Sequence, residues 1–313
     1  MKKISIVIPV YQAEHILTEL FKRIHEVMKG VTKHYEIICV EDGSRDKSWD
    51  VLKQSALHDP RIKALRFTRN FGQHNALNAG LKYAGGDYVI VMDCDLQDDP
   101  KDIPTLIGKV TPDIQMILTK KIRRNQSFFR KLIGVGFYRF ISWSTGRIID
   151  DNIGGFSLLT REVVTTYNKI TDINKFYLPT LLSMGYPFIT VTVKNNPRFE
   201  GKSSYTLAKL IRHGVFSLVM STDAPLRFSV TVGLFFMLCS FLGVLYIVGI
   251  MIFSGLRILP GWTSLMTALF FFSGIILFGI GMTGLYIAQI LEHVQGRHPY
   301  SVRSTIHLKS HVA

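Results

Sequence analysis

The stretch Tyr88-Val89-Ile90-Val91-Met92-Asp93-Cys94-Asp95-Leu96-Gln97-Asp98 gives the clearest indication of the architecture, because an uncharged apolar run ends in a cluster of carboxylates. The apolar run predicts a buried strand, and the acidic residues predict the turn at its carboxyl end. Hard oxygen donors on such a turn suit Mg²⁺ or Mn²⁺, particularly when the ion also holds phosphate oxygens. An acidic turn after a strand is common, so a metal site needs support from the rest of the chain.

The residues before this stretch repeat a pattern of strand, polar turn and helix. Apolar periodicity predicts strands at Ile4–Val10, Glu36–Val40, Lys63–Phe67 and Tyr88–Met92, and helices at Ala13–Lys29, Lys47–Leu57 and His74–Tyr83. This alternation predicts an α/β fold with a mostly parallel sheet covered by helices. Ligands of such folds gather at the carboxyl ends of the strands, so the chemistry is expected in the polar turns there.

A second acidic turn, Glu41-Asp42-Gly43-Ser44, follows the predicted second strand. A carboxylate there can accept hydrogen bonds from a base N–H or from ribose hydroxyls, although Asp-Gly-Ser is also ordinary turn chemistry. Two acidic turns on one sheet edge place several carboxylates around one cleft. Their mutual repulsion calls for a cation or for a ligand rich in hydrogen-bond donors.

The composition indicates a protein that is partly embedded in lipid and binds an anionic partner. Of the 313 residues 47% are apolar, the mean hydropathy is +0.22 and the formal net charge is +14 at pH 7. Such a charge suits nucleic acid, a membrane surface or phosphorylated substrates without choosing among them. The scattered cysteines Cys39, Cys94 and Cys239 predict no disulfide framework, and the N-terminus lacks signal-peptide features, so a reduced, cytosol-facing first half is expected.

Two uncharged segments, Phe228–Phe253 and Ser264–Leu291, each exceed the roughly 20 residues that cross a bilayer. They predict a two-helix transmembrane hairpin, and the alternative is a pair of buried helices in a soluble core. The connector Ser254–Thr263 carries a single charge, whereas basic residues flank the pair on both sides, which places both flanks in the cytosol. These flanking residues are Arg212, Arg227, Arg297, Arg303 and Lys309.

Two further segments, Ser127–Ser144 and Tyr205–Val219, combine helically spaced apolar residues with lysine and arginine. Amphipathic basic helices bind anionic membrane surfaces, and the alternative is that these two helices pack on the sheet. The expected organisation is a cytosolic catalytic domain at 1–200, interfacial helices at 201–227, the hairpin at 228–291 and a cytosolic tail at 292–313.

Four motifs follow one another in order: Ser5-Ile6-Val7-Ile8-Pro9-Val10-Tyr11, Glu41-Asp42-Gly43-Ser44, Arg69-Asn70-Phe71-Gly72-Gln73-His74 and Asp93-Cys94-Asp95-Leu96-Gln97-Asp98. With these motifs the chain resembles the family-2 inverting glycosyltransferases, which have a GT-A fold. Within that family it is similar to the polyprenyl-phosphate branch of dolichol-phosphate mannose synthases, bactoprenol glucosyltransferases and the undecaprenyl-phosphate aminoarabinose transferase. The resemblance continues through Arg130-Lys131, Asn152–Phe156, Phe199–Tyr205, Pro225–Arg227 and Arg297–Tyr300, so it covers nearly the whole chain.

The resemblance implies roles for individual residues. The residues expected to line the nucleotide site are Pro9, Tyr11, Asp42 and Asp93. The expected ligands of Mg²⁺ or Mn²⁺ are Asp93, Asp95 and Gln97. Arg130 and Lys131 are expected to bind the acceptor phosphate and, with Asp95, to be the catalytic residues; fixed cations suit a phosphate in any case. Lys202 either adds a charge near the phosphates or is an ordinary solvated loop lysine.

The implied reaction transfers a sugar, with inversion, from a UDP- or GDP-linked donor to a polyprenyl phosphate at the cytosolic face of the membrane. The expected partners are the nucleotide sugar, the lipid and the membrane, with homo-oligomerisation left open. A processive polysaccharide synthase is one alternative, but the chain lacks a Gln-x-x-Arg-Trp motif and has only two predicted spans. A catalytically silent nucleotide-sugar-binding scaffold is another. Nucleic-acid binding is disfavoured because the basic residues concentrate beside apolar helices.

The chain departs from the family pattern at several places, including Gln12-Ala13-Glu14, where Asn-Glu-Glu is usual. Gly154-Gly155-Phe156-Ser157 stands where Gly-Asp-Phe-Arg is usual, and Leu285 stands where a glutamate is common. If a carboxylate at position 155 were an obligatory general base, Asp150 and Asp151 would be the nearby replacements. A phosphate acceptor is already anionic and needs less help from a base than a sugar hydroxyl does. We therefore expect an active enzyme to which Asp150 and Asp151 contribute little.

Overall fold

The computed structural model describes residues 2–121, 153–171, 175–194, 229–236, 238, 242, 261–294 and 298–308. The chain forms two compact units. One consists of Met1–Gly136, Asp150–Tyr205 and Arg297–Ala313, and the other of Phe137–Ile149 and Thr206–Gly296.

The first unit contains all the described strands and most of the helices. The strands are β1 (Ile4–Val10), β2 (Tyr35–Glu41), β3 (Ile62–Phe67), β4 (Tyr88–Val91), β5 (Met116–Lys121), β6 (Ile153–Thr160), β7 (Phe188–Val193) and β8 (Val302–Ile306). The helices are α1 (Leu17–Lys29), α2 (Ser48–His58), α3 (Gln73–Tyr83), α4 (Ile103–Ile107), α5 (Arg161–Lys169) and α6 (Tyr177–Ser183), with a 3₁₀ helix at Pro100–Asp102. Helix α7 (Trp262–Val294) belongs to the second unit, in which residues 229–236 are also helical.

The strands form one sheet in the order β7-β5-β6-β4-β1-β2-β3-β8. Strands β1 to β4 are parallel, β5 is parallel to β7, and β6 and β8 are antiparallel to their neighbours. The predicted α/β fold with a mostly parallel sheet is therefore confirmed. The carboxyl ends of β1 to β5 lie at one edge of this sheet, together with the beginning of β6.

The first helix begins at Leu17 and not at Ala13, so the predicted start was wrong by one helical turn. The amide of Ala13 donates to Ser48 Oγ at 2.9 Å, and the amide of Glu14 donates to Asp46 Oδ2 at 3.2 Å. These bonds tie residues 13 and 14 to the loop after β2, and the regular helix begins after them. The other six predicted elements agree with the structure to within a residue at each end.

Strand β1 is buried along its whole length because helices cover both faces of the sheet. Ile6 and Ile8 belong to one apolar cluster with Leu20 of α1, and Val7 faces a second cluster on the opposite side. Helix α3 packs very closely there, since a Cβ atom on Gly80 would lie 2.4 Å from Val7 Cγ1. This close packing holds the N-terminus of α3 at the carboxyl edge of the sheet.

Helix α7 contains the second predicted span, 264–291. Its segment Phe271–Ala288 is long and apolar enough to cross a membrane, none of that segment is buried, and no other such helix occurs among the described residues. Most of the first predicted span, 228–253, lies outside the described residues, so the two-helix hairpin remains a prediction. The predicted amphipathic segments at 127–144 and 205–219 also lie outside them.

Candidate active site

The loops after the first four strands meet at the carboxyl edge of the sheet. Pro9 lies within β1 and pairs with Val40 of β2, so it is part of the buried strand. Tyr11 follows directly and is 45% exposed, with its side chain available to a ligand. Of these two residues expected at the nucleotide site, Tyr11 is thus accessible and Pro9 is not, and their contact with a nucleotide remains a prediction.

The loops after β1 and β2 are bonded to each other. The amide of Gln12, which has a left-handed φ of 51°, donates to Ser44 Oγ at 3.0 Å. Gly43, with φ of 62°, packs so tightly on the next loop that a Cβ atom there would lie 2.3 Å from the Arg69 carbonyl carbon. Only glycine fits this position, both for its φ and for this contact. The glycine of the Glu-Asp-Gly-Ser motif therefore serves the docking of the loop after β3.

Asp42 is buried and its carboxylate faces this same loop. Its Oδ1 accepts from the Phe71 amide at 2.6 Å, and its Oδ2 accepts from the Gly72 amide at 2.9 Å. Burial raises the pKa of Asp42 to about 6, while the two backbone bonds pull it in the opposite direction. Asp42 thus holds the loop at 69–72 in place, and its expected contact with the nucleotide remains a prediction.

Glu41 is fully buried and is neutralised inside the protein. Its Oε2 lies 3.1 Å from Arg66 Nε, and its Oε1 accepts a hydrogen bond from the Ser44 amide. The Arg66 guanidinium also lies 5.5 Å from the centre of the Trp49 ring. Glu41 therefore stabilises the turn and does not contribute a free charge to the cleft.

The acidic turn after β4 has a tight internal structure. Asp98 Oδ2 accepts from the Asp93 amide at 3.2 Å, Asp95 Oδ1 accepts from the Gln97 amide at 3.1 Å, and Leu96 has a left-handed φ of 59°. Cys94 packs against the apolar core, where burial raises the pKa of its thiol to about 12. The turn therefore anchors itself through Cys94, Leu96 and Asp98, and the half-buried Asp93 and Asp95 stand at its surface.

Gln73 supplies a contact that the sequence did not reveal. Its Nε2 donates to Asp93 Oδ1 at 2.7 Å, across the edge from the first turn of α3 to the end of β4. Gln73 belongs to the motif Arg69–His74, which signalled its importance but not its partner. This bond fixes the orientation of one of these two half-buried carboxylates.

The side-chain oxygens of the acidic turn suit a divalent cation that also binds oxygens of a bound substrate. Among the described residues, no group of three or more histidine, cysteine, aspartate and glutamate side chains is placed to bind an ion. Mg²⁺ typically takes only one or two protein carboxylates and completes its shell with water and substrate phosphates. Asp93 and Asp95 provide such carboxylates, and Gln97 on the same turn provides an amide oxygen.

Strand β6 brings the unusual Gly155 to the same edge. It lies two residues beyond the last pair of β4 with β6, Val91 with Ser157, on the side of Asp93. Among the residues that the structure describes, a Cβ atom on Gly155 would meet nothing within 4 Å. The position is therefore open on that side, and no described neighbour requires the glycine. The buried Ser157 hydroxyl is bonded to the Tyr177 hydroxyl at 2.6 Å, which ties this strand to α6.

Several expected site residues lie outside the described part of the chain. They are Arg130, Lys131, Asp150, Asp151 and Lys202. Strand β5 ends at the carboxyl edge with Lys120 and Lys121, and the chain continues from there towards Arg130. The acceptor side of the site thus remains a prediction.

Comparison with known proteins places the chain in a family. Residues 5–167, which contain all four loops just described, match the family model "Glycosyl transferase family 2". The chain belongs to this family. It is a glycosyltransferase, as the resemblance implied.

Its relatives match over almost their whole length. The undecaprenyl-phosphate 4-deoxy-4-formamido-L-arabinose transferase of Proteus mirabilis is 32% identical over 311 residues, which are 99% of this chain and 95% of that protein. A prophage-derived bactoprenol glucosyl transferase of Shigella flexneri is 32% identical over 305 residues, 97% of this chain and 98% of that protein. The similarity to these relatives therefore extends beyond residues 5–167 to nearly the whole chain.

A solved structure supports the GT-A-like fold of the first unit. Glucosyl-3-phosphoglycerate synthase of Mycobacterium tuberculosis, in complex with Mn²⁺, UDP-glucose and phosphoglyceric acid, superposes with a TM-score of 0.53 and 17% identity. The match covers 70% of this chain and 78% of that one. At this level of identity the likeness shows the fold alone.

Proposed function

We propose that this glycosyltransferase moves a sugar, with inversion, from a UDP- or GDP-linked donor to a polyprenyl phosphate at the cytosolic face of the membrane. The main support for a nucleotide-sugar donor is the acidic turn Asp93–Asp98. It lies beside the loop that Asp42 binds, at the edge where the parallel strands end. The acceptor is supported by the two full-length relatives, whose names specify undecaprenyl phosphate and bactoprenol.

The donor diphosphate gains negative charge as its bond to the sugar breaks. A bound Mg²⁺ or Mn²⁺ supplies charge neutralisation at that diphosphate. Asp93 and Asp95 would hold the ion with Gln97, and Gln73 would keep the Asp93 carboxylate in one orientation. The N-terminal end of α3 lies at the same edge and adds a favourable dipole for an anionic ligand. These groups are fixed before the donor binds, so little reorganisation is needed during the reaction.

On the acceptor side, an oxygen of the lipid phosphate attacks the anomeric carbon. The new C–O bond forms as the bond to the nucleoside diphosphate breaks, and the diphosphate leaves with the electron pair from the opposite face. No proton has to be removed from an ionised phosphate, which agrees with the lack of a carboxylate at Gly155. Arg130 and Lys131 would bind the acceptor phosphate through charge-assisted hydrogen bonds.

The exposed apolar helix α7 supports a position at the membrane, where the lipid acceptor resides. With residues 228–253 as a second span, the chain would form a hairpin with its catalytic unit and both termini in the cytosol. Such an anchor keeps the active site close to the surface that presents the lipid phosphate. A homo-oligomeric assembly is compatible with this arrangement.

The test is a mass-spectrometric screen of UDP- and GDP-linked sugars with undecaprenyl phosphate, using the full-length protein in nanodiscs. We expect one donor to yield a polyprenyl-phosphate sugar in a reaction that requires a divalent cation. The anomeric configuration of the product, determined by NMR, should be opposite to that of the donor. Binding of a nucleotide sugar without turnover would instead support the silent scaffold.

A further inference from the structure

The C-terminal segment after α7 forms part of the catalytic sheet. Strand β8 pairs antiparallel with β3, from Ala64 with Ile306 to Phe67 with Val302. The Thr68 amide donates to the Ser301 carbonyl at 3.0 Å, which extends the pairing to the carboxyl end of β3. Residues 298–308 therefore cover the edge strand that leads into the loop at 69–72.

Tyr300 places its ring against the end of β3. It stacks on Phe67 with ring centres 4.9 Å apart and planes inclined by 18°, and Lys82 Nζ lies 5.6 Å from its centre. Burial raises the pKa of the Tyr300 hydroxyl to about 12, so the ring is uncharged at neutral pH. Tyr300 thus acts through the packing of an uncharged ring.

The aromatic contacts continue from Phe67 into the loop at 69–72. Phe67 meets Phe71 edge to face at 5.6 Å, and the Arg69 guanidinium lies 4.3 Å from the centre of the Phe71 ring. The backbone amide of Phe71 is one of the two groups that Asp42 binds. The series Tyr300, Phe67, Phe71 therefore ends at the loop that precedes Gln73.

We propose that residues 298–308 are a positioning element of the donor site, in which Tyr300 holds Phe67 and Phe71 so that the loop at 69–72 keeps its conformation. This inference rests on the proposed function, because it assumes that the loop contributes to a nucleotide site. It gives a role to the late motif Arg297–Tyr300, whose tyrosine lies far along the sequence from every other part of that site.

The experiment compares Tyr300→Ala, Tyr300→Phe and Thr305→Ala in the full-length protein in detergent. Thr305 lies on β8 in the same C-terminal segment, pairs with Leu65 and is not among the aromatic contacts, so it is the matched control. Dissociation constants for UDP and for GDP are measured by calorimetry in MgCl₂. Hydrogen exchange of the amides at 68–76 is measured beside that of β2.

We expect Tyr300→Ala to weaken nucleotide binding about tenfold and to accelerate exchange at 68–76 while leaving β2 protected. The nucleotide dissociation constants of Tyr300→Phe and Thr305→Ala should stay within about twofold of the wild-type values, because both variants keep the stacked ring at position 300. If Tyr300→Ala does not fold, Tyr300→Leu decides, since it keeps apolar volume without the ring and should still weaken binding at least about threefold.

Unchanged nucleotide affinity in a folded Tyr300→Ala or Tyr300→Leu protein would overturn the positioning role and leave the proposed function intact. An equal loss in Thr305→Ala would also overturn it, because the strand as a whole and not the Tyr300 ring would then be responsible. A wild-type protein that binds neither UDP nor GDP would refute the proposed function, and this inference with it.

Discussion

Loss of the hydrogen bond that Gln73 donates to Asp93 tests the proposed nucleotide-sugar site most directly. In Gln73→Met the side chain keeps a similar length but cannot donate to Asp93 Oδ1, the acceptor of the 2.7 Å bond. The carboxylate then loses the group that orients it towards a cation. Groups that orient metal ligands typically contribute about 10–100-fold to metal affinity or activity. Because this bond is exposed, we expect the lower end, about a tenfold increase in the Mn²⁺ dissociation constant, or about 1.4 kcal/mol.

The assay is an electron paramagnetic resonance titration of free Mn²⁺ with the protein and UDP, followed by the metal dependence of the transfer rate. Gln115→Met is the matched control, because Gln115 Nε2 donates to Glu162 Oε2 at 3.1 Å in an equally exposed bond. Gln115 precedes β5 and therefore lies at the sheet edge opposite the site. The free energy of unfolding of both variants should stay within about 0.5 kcal/mol of the wild type, since the changed side chains lie near the surface. An unchanged Mn²⁺ dissociation constant in Gln73→Met, or an equal change in Gln115→Met, would refute the reasoning.

Four other perturbations test the remaining parts of the site. Asp95→Ala and an excess of chelator should each abolish transfer, measured as lipid-linked sugar, because both remove the cation at the leaving diphosphate; full activity in chelator would contradict this. Arg130→Ala combined with Lys131→Ala should raise the KM for the lipid at least tenfold and leave the UDP dissociation constant within about twofold, whereas equal losses would assign these residues to the donor site or to the fold. Burial raises the pKa of Asp42 from 3.8 to about 6, so the folded state binds the proton more tightly and the free energy of unfolding falls as the pH rises from about 4 to about 6. Asp42→Asn should remove this part of the pH dependence in thermal unfolding between pH 4 and pH 7, and an identical profile would contradict it. Gly155→Asp should fold normally, since the position is open, and change single-turnover rates by less than about tenfold; a gain of about 10²-fold or more would show that the wild type lacks a useful base.

The first four strands and three helices could be predicted from the sequence because each carries its own periodicity. Strands β5 to β8 were not predicted. Strand β8, Val302–Ile306, has three consecutive polar residues between Val302 and Ile306, so it lacks the alternation of a strand and becomes one only by pairing with β3. That pairing joins segments more than two hundred residues apart, and no local pattern records it. The role of Tyr300 was invisible for the same reason.

In the site, the sequence showed which residues come together but not which way their side chains face. The order of strands and turns was enough to bring Asp42 and Asp93 to one edge. The inward orientation of Asp42 depends on the positions of the Phe71 and Gly72 amides, which are set by the third loop. The partner of Gln73 likewise depends on the packing of α3 against β1, where Gly80 permits the close approach.

The orientation of these side chains also changes the argument for a cation. Counted from the sequence, the carboxylates of both acidic turns repel one another and call for a positive charge. In the structure Glu41 is neutralised by Arg66, and both oxygens of Asp42 bind backbone amides, so neither contributes much to that demand. The case for a cation therefore rests on Asp93 and Asp95, two half-buried carboxylates on one turn. Two carboxylates suit a single cation shared with a diphosphate, so metal and donor are expected to bind together and each to strengthen the binding of the other.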